Sequence, residues 1–393
     1  MAHKLIFLVT EDWYFWSHRL PMARAARDAG FEVAVATRVA AHAERIRAEG
    51  FALHPLRWRR RSNGLWPSLA AIAEIDRLYR RERPAIVHHV ALKPALLGGI
   101  AARLARVPAT VSMIAGAGYL ASAGGARAWL VARALRLAWR VLLLRKGSRV
   151  IVQNDEDRAD LAALTPAVAW RIAVIRGSGV DLARFGPTPE PPASPLVIAY
   201  VGRMIAIKGV ANLVAAHAQL RRRGLDLRLV LAGAPDPENP SAIARDTLAG
   251  WAAQPGVAWL GHQEDVREVW RAAHIAVLPS LGGEGLPLSL LEAAAMARPI
   301  VATDVPGTRT IARDGENAVL VPPGDAAALA DAIAALAQDP ERRRRYGAAS
   351  RRIVEDGFSD AAVGAATVAV YRAVLEEVGA GPGNSASVRP SSR

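Results

Sequence analysis

The sequence predicts an α/β protein made of two consecutive domains, each with a buried parallel sheet. Three observations carry this. Short β-branched runs alternate with Ala/Leu/Arg-rich helical stretches, the pattern of repeated βα units. The alternation stops at GPTPEPPASP (186–195), five prolines in ten residues, which neither a helix nor a central strand tolerates. A second alternation of similar length then follows. The 393 residues, 52% apolar and 22% charged, are enough for about two cores and exclude disorder as the main state.

In chain order, KLIFLVT (4–10), FEVAVAT (31–37), AIVHHV (85–90), ATVSMI (109–114) and SRVIVQN (148–154) read as strands, with helices between them such as 18–29, 67–82 and 94–106. RIAVIRGSGVD (171–181) leads to the proline-rich break. Beyond it, LVIAYVG (196–202), LDLRLVLAG (225–233), VAWLG (257–261), IAVLPS (275–280), PIVATD (299–304) and NAVLVP (317–322) form the second set. The expected division is 1–190 and 191–380, with a polar, disordered tail at 381–393. Ligands of open α/β sheets bind beyond the carboxyl ends of the strands, so a cleft between the two domains is the expected site.

There is no cysteine, which rules out disulfide scaffolds, thiol nucleophiles and thiolate metal sites and is compatible with a reducing cytosol. The start lacks the basic region and cleavage site of a signal peptide, and no apolar run reaches the length of a spanning helix. A soluble or peripheral cytoplasmic protein is expected. The net charge of +14 sits entirely in residues 1–195, which carry 29 basic and 15 acidic side chains against 21 of each beyond. Residues 83–154 hold no Asp or Glu and eleven Lys or Arg, a field that attracts phosphates, anionic lipid headgroups or nucleic acid. Within them, 124–146 is a helix candidate with Arg133, Arg136 and Arg140 on one face and Trp129 and Trp139 elsewhere. It suits either the inner membrane surface or a core helix with an arginine stripe.

The sharpest chemical signal is GGEGLPLSLLEAAAMARPIVATDVPG (282–307). Gly285 and Pro287 force a turn before a helix, placing Glu284 on the loop and Glu292 about one turn inside. Backbone N–H groups of Gly285, Leu286 and Leu288, around Pro287 which has none, then mark a helix N-terminus, which favours anions and hydroxyl oxygens. The second signal is YVGRMIAIKGV (200–210), a strand end, Gly202, then Arg203 and Lys208 before a helix. A planar fork and a point charge at such a place suit a diphosphate.

These two segments resemble the EX7E region and the diphosphate-binding Arg and Lys of retaining glycosyltransferases of family 4. The resemblance covers nearly the whole chain and is strongest over 196–330. It implies the GT-B fold, two Rossmann-like domains facing across a cleft. It also implies roles: Glu284 approaches the donor sugar, Glu292 binds the ribose hydroxyls, and Arg203 and Lys208 take the diphosphate. LGHQEDVREVW (260–270) is similar to the loop that contacts the base, with His262 and Gln263 at the matching positions. UDP is the nucleotide favoured by resemblance. AGAPDPENPSA (232–242) looks like a loop of bacterial transferases that extend polyprenyl-diphosphate-linked sugars, including N-acetylgalactosaminyl transferases; it also reads as a Pro-rich surface turn.

The first domain departs from the family. Its first loop has Thr10, Glu11 and Asp12 where two glycines are common, and SMIAGAG (112–118) stands where a His is common. Asp12, His18, Arg19, His88, His89 and Lys93 are candidates for the acceptor side, since each is expected at a strand end or helix start, though a His in such a place also reads as a packed residue. The lack of G-x-G-x-x-G after the first strand argues against NAD or FAD, and no cofactor is expected. NDED (154–157) resembles a metal-binding DxD but opens a helix as a cap, so no metal is expected.

The implied reaction is retaining transfer of a sugar, with an N-acetylhexosamine among the candidates, to a polyprenyl-diphosphate-linked or saccharide acceptor in surface polysaccharide synthesis. Three alternatives stand beside it: a nucleotide-sugar epimerase of the same architecture, a nucleic-acid-binding protein suggested by RWRRR (57–61), and an inactive homologue acting as a partner subunit.

Overall fold

The computed structural model describes residues 2–58, 64–114, 145–164, 166–192 and 195–379. The arginines at 59–61, the glycine run at 115–118, the greater part of the 124–146 helix candidate with Arg133, Arg136, Arg140, Trp129 and Trp139, and the 381–393 tail lie outside these residues.

The first sheet contains β1 (Lys4–Glu11), β2 (Glu32–Arg38), β3 (Ala52–Pro55), β4 (Ile86–Val90), β5 (Ala109–Met113), β6 (Ser148–Val152) and β7 (Ile172–Val174) in the order β3-β2-β1-β4-β5-β6-β7. The second contains β8 (Leu196–Val201), β9 (Leu227–Ala232), β10 (Val257–Gly261), β11 (Ile275–Leu278), β12 (Ile300–Thr303) and β13 (Ala318–Val321) in the order β10-β9-β8-β11-β12-β13. Every pairing is parallel. The central strands are apolar on both faces: β11 is wholly buried, and in β4 even the two histidines are inside, as expected where helices cover both sides of a sheet.

Both strand orders reverse at the first strand of the domain. In the first sheet the reversal falls between β1 and β4, in the second between β8 and β11. At such a switch point the loops leaving the two strands run in opposite directions and open a crevice at their carboxyl ends. In the second domain those loops are 202–209 and 279–287, which carry both chemical motifs.

Two elements differ from the sequence expectation. The stretch after β1 is helical from Asp12 to His18, and a second helix runs Leu20–Asp28 with Pro21 in its first turn. Pro21 lacks the N–H that would continue the earlier helix, so the chain breaks at Arg19. β3 is a short, half-exposed edge strand without the β-branched run that marks the others. The remaining strands fall within two residues of the expected spans at each end, apart from the short β7.

The last helix, Asp360–Gly379, crosses back to the first domain. The expected span of 191–380 places it in the second. Val363, Val368, Tyr371 and Val374 instead join the core of Phe7, Phe15, Phe31 and Val35. Gly364 permits this, since a Cβ there would lie 2.6 Å from the Ala25 Cβ on helix Leu20–Asp28. The Tyr371 ring meets Phe31 edge-on, and its hydroxyl lies 2.5 Å from His88 Nδ1.

Candidate active site

Lys208 and Glu284 meet because two backbone turns are held in contact. Gly209 has φ 68°, and a Cβ there would stand 1.9 Å from the Pro279 carbonyl oxygen, so only glycine lets the turn after β8 pack on the end of β11. Lys208 Nζ is then 2.5 and 2.7 Å from Glu284 Oε1 and Oε2. The Ser280 hydroxyl also donates to Glu284 Oε1. Ser280 is held in turn by its own carbonyl, which accepts from Thr303 Oγ1 at 2.5 Å. The Glu284–Gly285 backbone rests on Gly307, where a Cβ would fall 1.7 Å from the Gly285 oxygen. Thus the DVPG turn that closes the motif fixes the loop that opens it.

Glu284 is 7% exposed and its partner Lys208 is largely covered. Such a pair adds little net stability, but removing one member strands the other charge, at a cost of about 3–5 kcal/mol.

Arg203 stands at the mouth of β8. Its Nη1 donates to Asp236 Oδ2 at 2.9 Å, and its carbonyl accepts from the Tyr200 hydroxyl at 2.9 Å. Burial pushes the Tyr200 hydroxyl's pKa up, so it remains a donor. Helix Leu288–Ala295 starts at Pro287 without a side-chain cap, leaving its first-turn N–H groups at the same end of the sheet. Leu286 N donates to Gln153 Oε1 at 2.9 Å, a contact between the two domains. Glu292 lies in the second turn of this helix, half-buried. Burial pushes its carboxyl up to about 8, while Trp270 and Arg184 pull it down and Asp265 pushes it further up. Two carboxylates on one motif therefore differ: Glu284 is paired with a cation, and Glu292 holds a proton near neutrality.

His262 is exposed, and Gln263 folds its amide onto the carbonyls of Leu260 and His262 at 2.8 and 3.2 Å.

In the first domain the candidates separate. His18 is half-buried, stacked on Tyr14 at 4.3 Å, with Nδ1 2.6 Å from Ser17 Oγ. Burial lowers its pKa to about 3, helped by Arg19, Arg203 and Lys208, so His18 sits within the field of both second-domain cations. Lys93, half-buried in the first turn of helix Leu92–Leu104, has its pKa lowered by burial.

The other first-domain candidates are buried and held by neighbouring groups. His88 and His89 are fully buried. His88 stacks on Phe7 and bonds Tyr371, and His89 lies between Tyr79 and Ser112. Burial holds both in the neutral form. Asp12 is fully buried too, and its Oδ2 accepts from Ala40 N and His42 N at 2.7 and 2.9 Å, ordering the loop after β2. Arg19 is 1% exposed, and among the described residues its hydrogen-bond partners are the neutral groups Ser178 Oγ, Tyr14 OH, Met22 Sδ and the His18 carbonyl. In the NDED segment Asn154 caps the following helix by accepting from Asp157 N at 2.7 Å, and Asp155 and Glu156 pair with Arg176 and Arg309.

Asp236, Ser280 and Gln153 were not among the sequence candidates. Ser280 leaves β11 at the switch point, a signal that could have found it; Gln153 leaves β6, away from the reversal of the first sheet, and no sequence signal marks it.

The facing parallel sheets and the cation–carboxylate cluster at a switch point define an enzyme of the GT-B architecture. Residues 195–339 match the family described as Glycosyl transferases group 1, and residues 4–154 match that described as Glycosyl transferase 4-like. Alpha-maltose-1-phosphate synthase of Mycolicibacterium smegmatis is 30% identical over 358 residues, 82% of this chain and 87% of that protein. Putative glycosyltransferase EpsD of Bacillus subtilis is 28% identical, covering 96% of this chain and 98% of its own. Among solved structures, sucrose-phosphate synthase from Thermosynechococcus elongatus superposes with a TM-score of 0.78 at 20% identity, covering 95% of this chain and all of that one. Anabaena HepE in complex with UDP-glucose superposes at 0.72 and 17% identity, covering 96% and 100%. The chain belongs to the family 4-like, group 1 glycosyltransferases, and is a GT-B transferase that uses a nucleotide sugar. The epimerase alternative gives way to that membership.

Proposed function

We propose that this enzyme is a metal-independent, retaining transferase. It moves a sugar from a UDP-linked donor to a hydroxyl of a lipid-linked or saccharide acceptor in surface polysaccharide synthesis. The carrying observation is the Lys208–Glu284–Ser280 cluster beside Arg203, all at the β8/β11 switch point. In the reaction the bond between the anomeric carbon and the β-phosphate oxygen breaks, and the acceptor oxygen bonds to the same face. The acceptor proton passes to the departing phosphate, so no protein base is required. Charge grows on the leaving diphosphate, where Arg203, Lys208 and the N-terminus of helix Leu288–Ala295 are placed to neutralise it. Glu284, already fixed by Lys208 and Ser280, orients the donor sugar's hydroxyls, and Glu292 faces the ribose. His18, in its neutral form, and the half-buried Lys93 belong to the acceptor side.

Anabaena HepE was solved with UDP and glucose, which supports UDP as the donor nucleotide here. A membrane-surface site of action is supported by Leu65, Trp66 and Leu69, exposed by 71, 79 and 46% at the start of helix Leu65–Glu82, just after the arginine run at 57–61. No helix among the described residues is long and apolar enough to cross a membrane. A screen of UDP, GDP and ADP sugars against polyprenyl-diphosphate sugars and free saccharides, in chelator, tests the reading. Turnover with a UDP sugar and a product whose anomeric configuration matches the donor is expected. An inverted product, turnover that stops in chelator, or no turnover with any donor would count against it.

A further inference from the structure

The loop AGAPDPENPSA has no part in the chemistry described so far, yet it is zipped onto the turn that carries Arg203. Met204 N donates to Ala234 O at 3.0 Å, Ala206 N to Ser241 O at 2.8 Å and Ile243 N to Met204 O at 2.9 Å, while Ile205 bridges Ala242. Gly233, at φ 143°, lets the two turns touch, since a Cβ there would lie 1.8 Å from the Gly202 oxygen. Most polar side chains of the loop point inward. Asn239 Oδ1 accepts from Ser241 N and Oγ at 2.9 and 2.8 Å. Asp236 Oδ1 accepts from Glu238 N at 3.2 Å and its Oδ2 from Arg203 Nη1 at 2.9 Å.

Glu238 reaches the other way, into the first domain. Its Oε1 accepts from Arg38 Nη1 at 2.5 Å. Arg38 ends β2, stands opposite Glu11 in the strand ladder and lies 3.5 Å from the Glu11 carboxylate. A proline-stiffened loop of nine residues thus holds the cation expected to meet a diphosphate at one side and a charged group of the opposite domain at the other.

We propose that residues 234–242 are a strap coupling nucleotide occupancy to the grip between the domains. Asp236 is a positioning residue: it fixes Arg203 through one guanidinium nitrogen and leaves the rest of the five-donor fork for the diphosphate. Glu238 ties the same rigid loop to Arg38. An ordered Arg203 and a closed Arg38–Glu238 contact then favour each other, and by linkage each strengthens the other's effect on binding. The proposal rests on the nucleotide-sugar reading above.

Calorimetric titration of the full chain with UDP, GDP and ADP at low and high salt tests it. Asp236→Ala is expected to weaken UDP binding about tenfold, within the usual range of coupling between sites. Asp236→Asn, whose amide oxygen still accepts from Arg203, stays close to wild type. Arg38→Met weakens UDP binding about threefold at low salt, as losing a partly exposed pair implies, and has no effect at high salt. Glu238→Gln gives the same loss at low salt, and the double variant Arg38→Met with Glu238→Gln loses no more than either single change. A merely structural loop would leave UDP affinity unchanged in a folded Arg38→Met protein, and two independent side chains would give additive losses in the double variant; either result overturns the proposal while the nucleotide reading stands. A wild type that binds none of the three nucleotides overturns both.

Discussion

Replacing Glu292 with glutamine should remove a pH dependence that burial builds into the second domain. The carboxyl is raised from 4.5 to about 8, chiefly by burial. Between those values the folded protein keeps a proton that the unfolded chain releases, so stability falls as pH rises through this window and levels off above it. At about 1.36 kcal/mol per pH unit, the window sets an upper limit of about 5 kcal/mol. Solvent screening at a half-buried side chain reduces the expected effect to about 2–3 kcal/mol. Urea unfolding of wild type and Glu292→Gln at half-unit steps from pH 4.5 to 9 measures it. The wild-type curve should decline relative to the variant by that amount, with the gap constant above pH 8. Parallel curves, or a wild type that gains stability relative to the variant as pH rises, would refute the reasoning.

Three further outcomes follow from the same geometry. Lys208→Ala should lower kcat at least about 100-fold, the usual effect of removing a donor that stabilises developing charge, while Asp155→Ala, altered only at an exposed ion pair with Arg176, keeps near wild-type turnover in the same assay. Tyr371→Phe deprives His88 Nδ1 of its partner inside the first core and should cost about 1–3 kcal/mol in thermal unfolding without changing donor affinity. Gly307→Ala drives a methyl into the Gly285 carbonyl, and should raise donor KM as well as destabilise by about 1–3 kcal/mol, since the Glu284 loop must shift.

Much of this architecture is legible in the residues because parallel strands covered on both faces are continuous apolar runs, as IAVL in β11 and AVLV in β13 show. What periodicity cannot say is which sheet an Ala/Val-rich helix will join. Helix Asp360–Gly379 docks on the first domain through Tyr371, whose partner His88 lies 283 residues away in sequence. For the same reason His88 and His89 look like strand-end ligands until the register puts them inside the sheet. The segment after β1 gave no helix signal because Trp, Tyr and Phe surround a single charged start, and the periodicity breaks at Pro21. The Lys208–Glu284 contact is legible because order along the chain suffices: Lys208 leaves β8, Glu284 leaves β11, and adjacent strands bring them together. Asp236 and Ser280 were not, because a loop carboxylate and a strand-end serine acquire their roles only when two turns touch.

Direct titration of the purified protein with a UDP sugar decides whether these side chains form a single binding site. Saturable one-to-one binding is expected, weakened at least about tenfold by Arg203→Ala and by Lys208→Ala, with less additive loss in the double variant, as for groups sharing one diphosphate. Wild-type affinity in both single variants would contradict it.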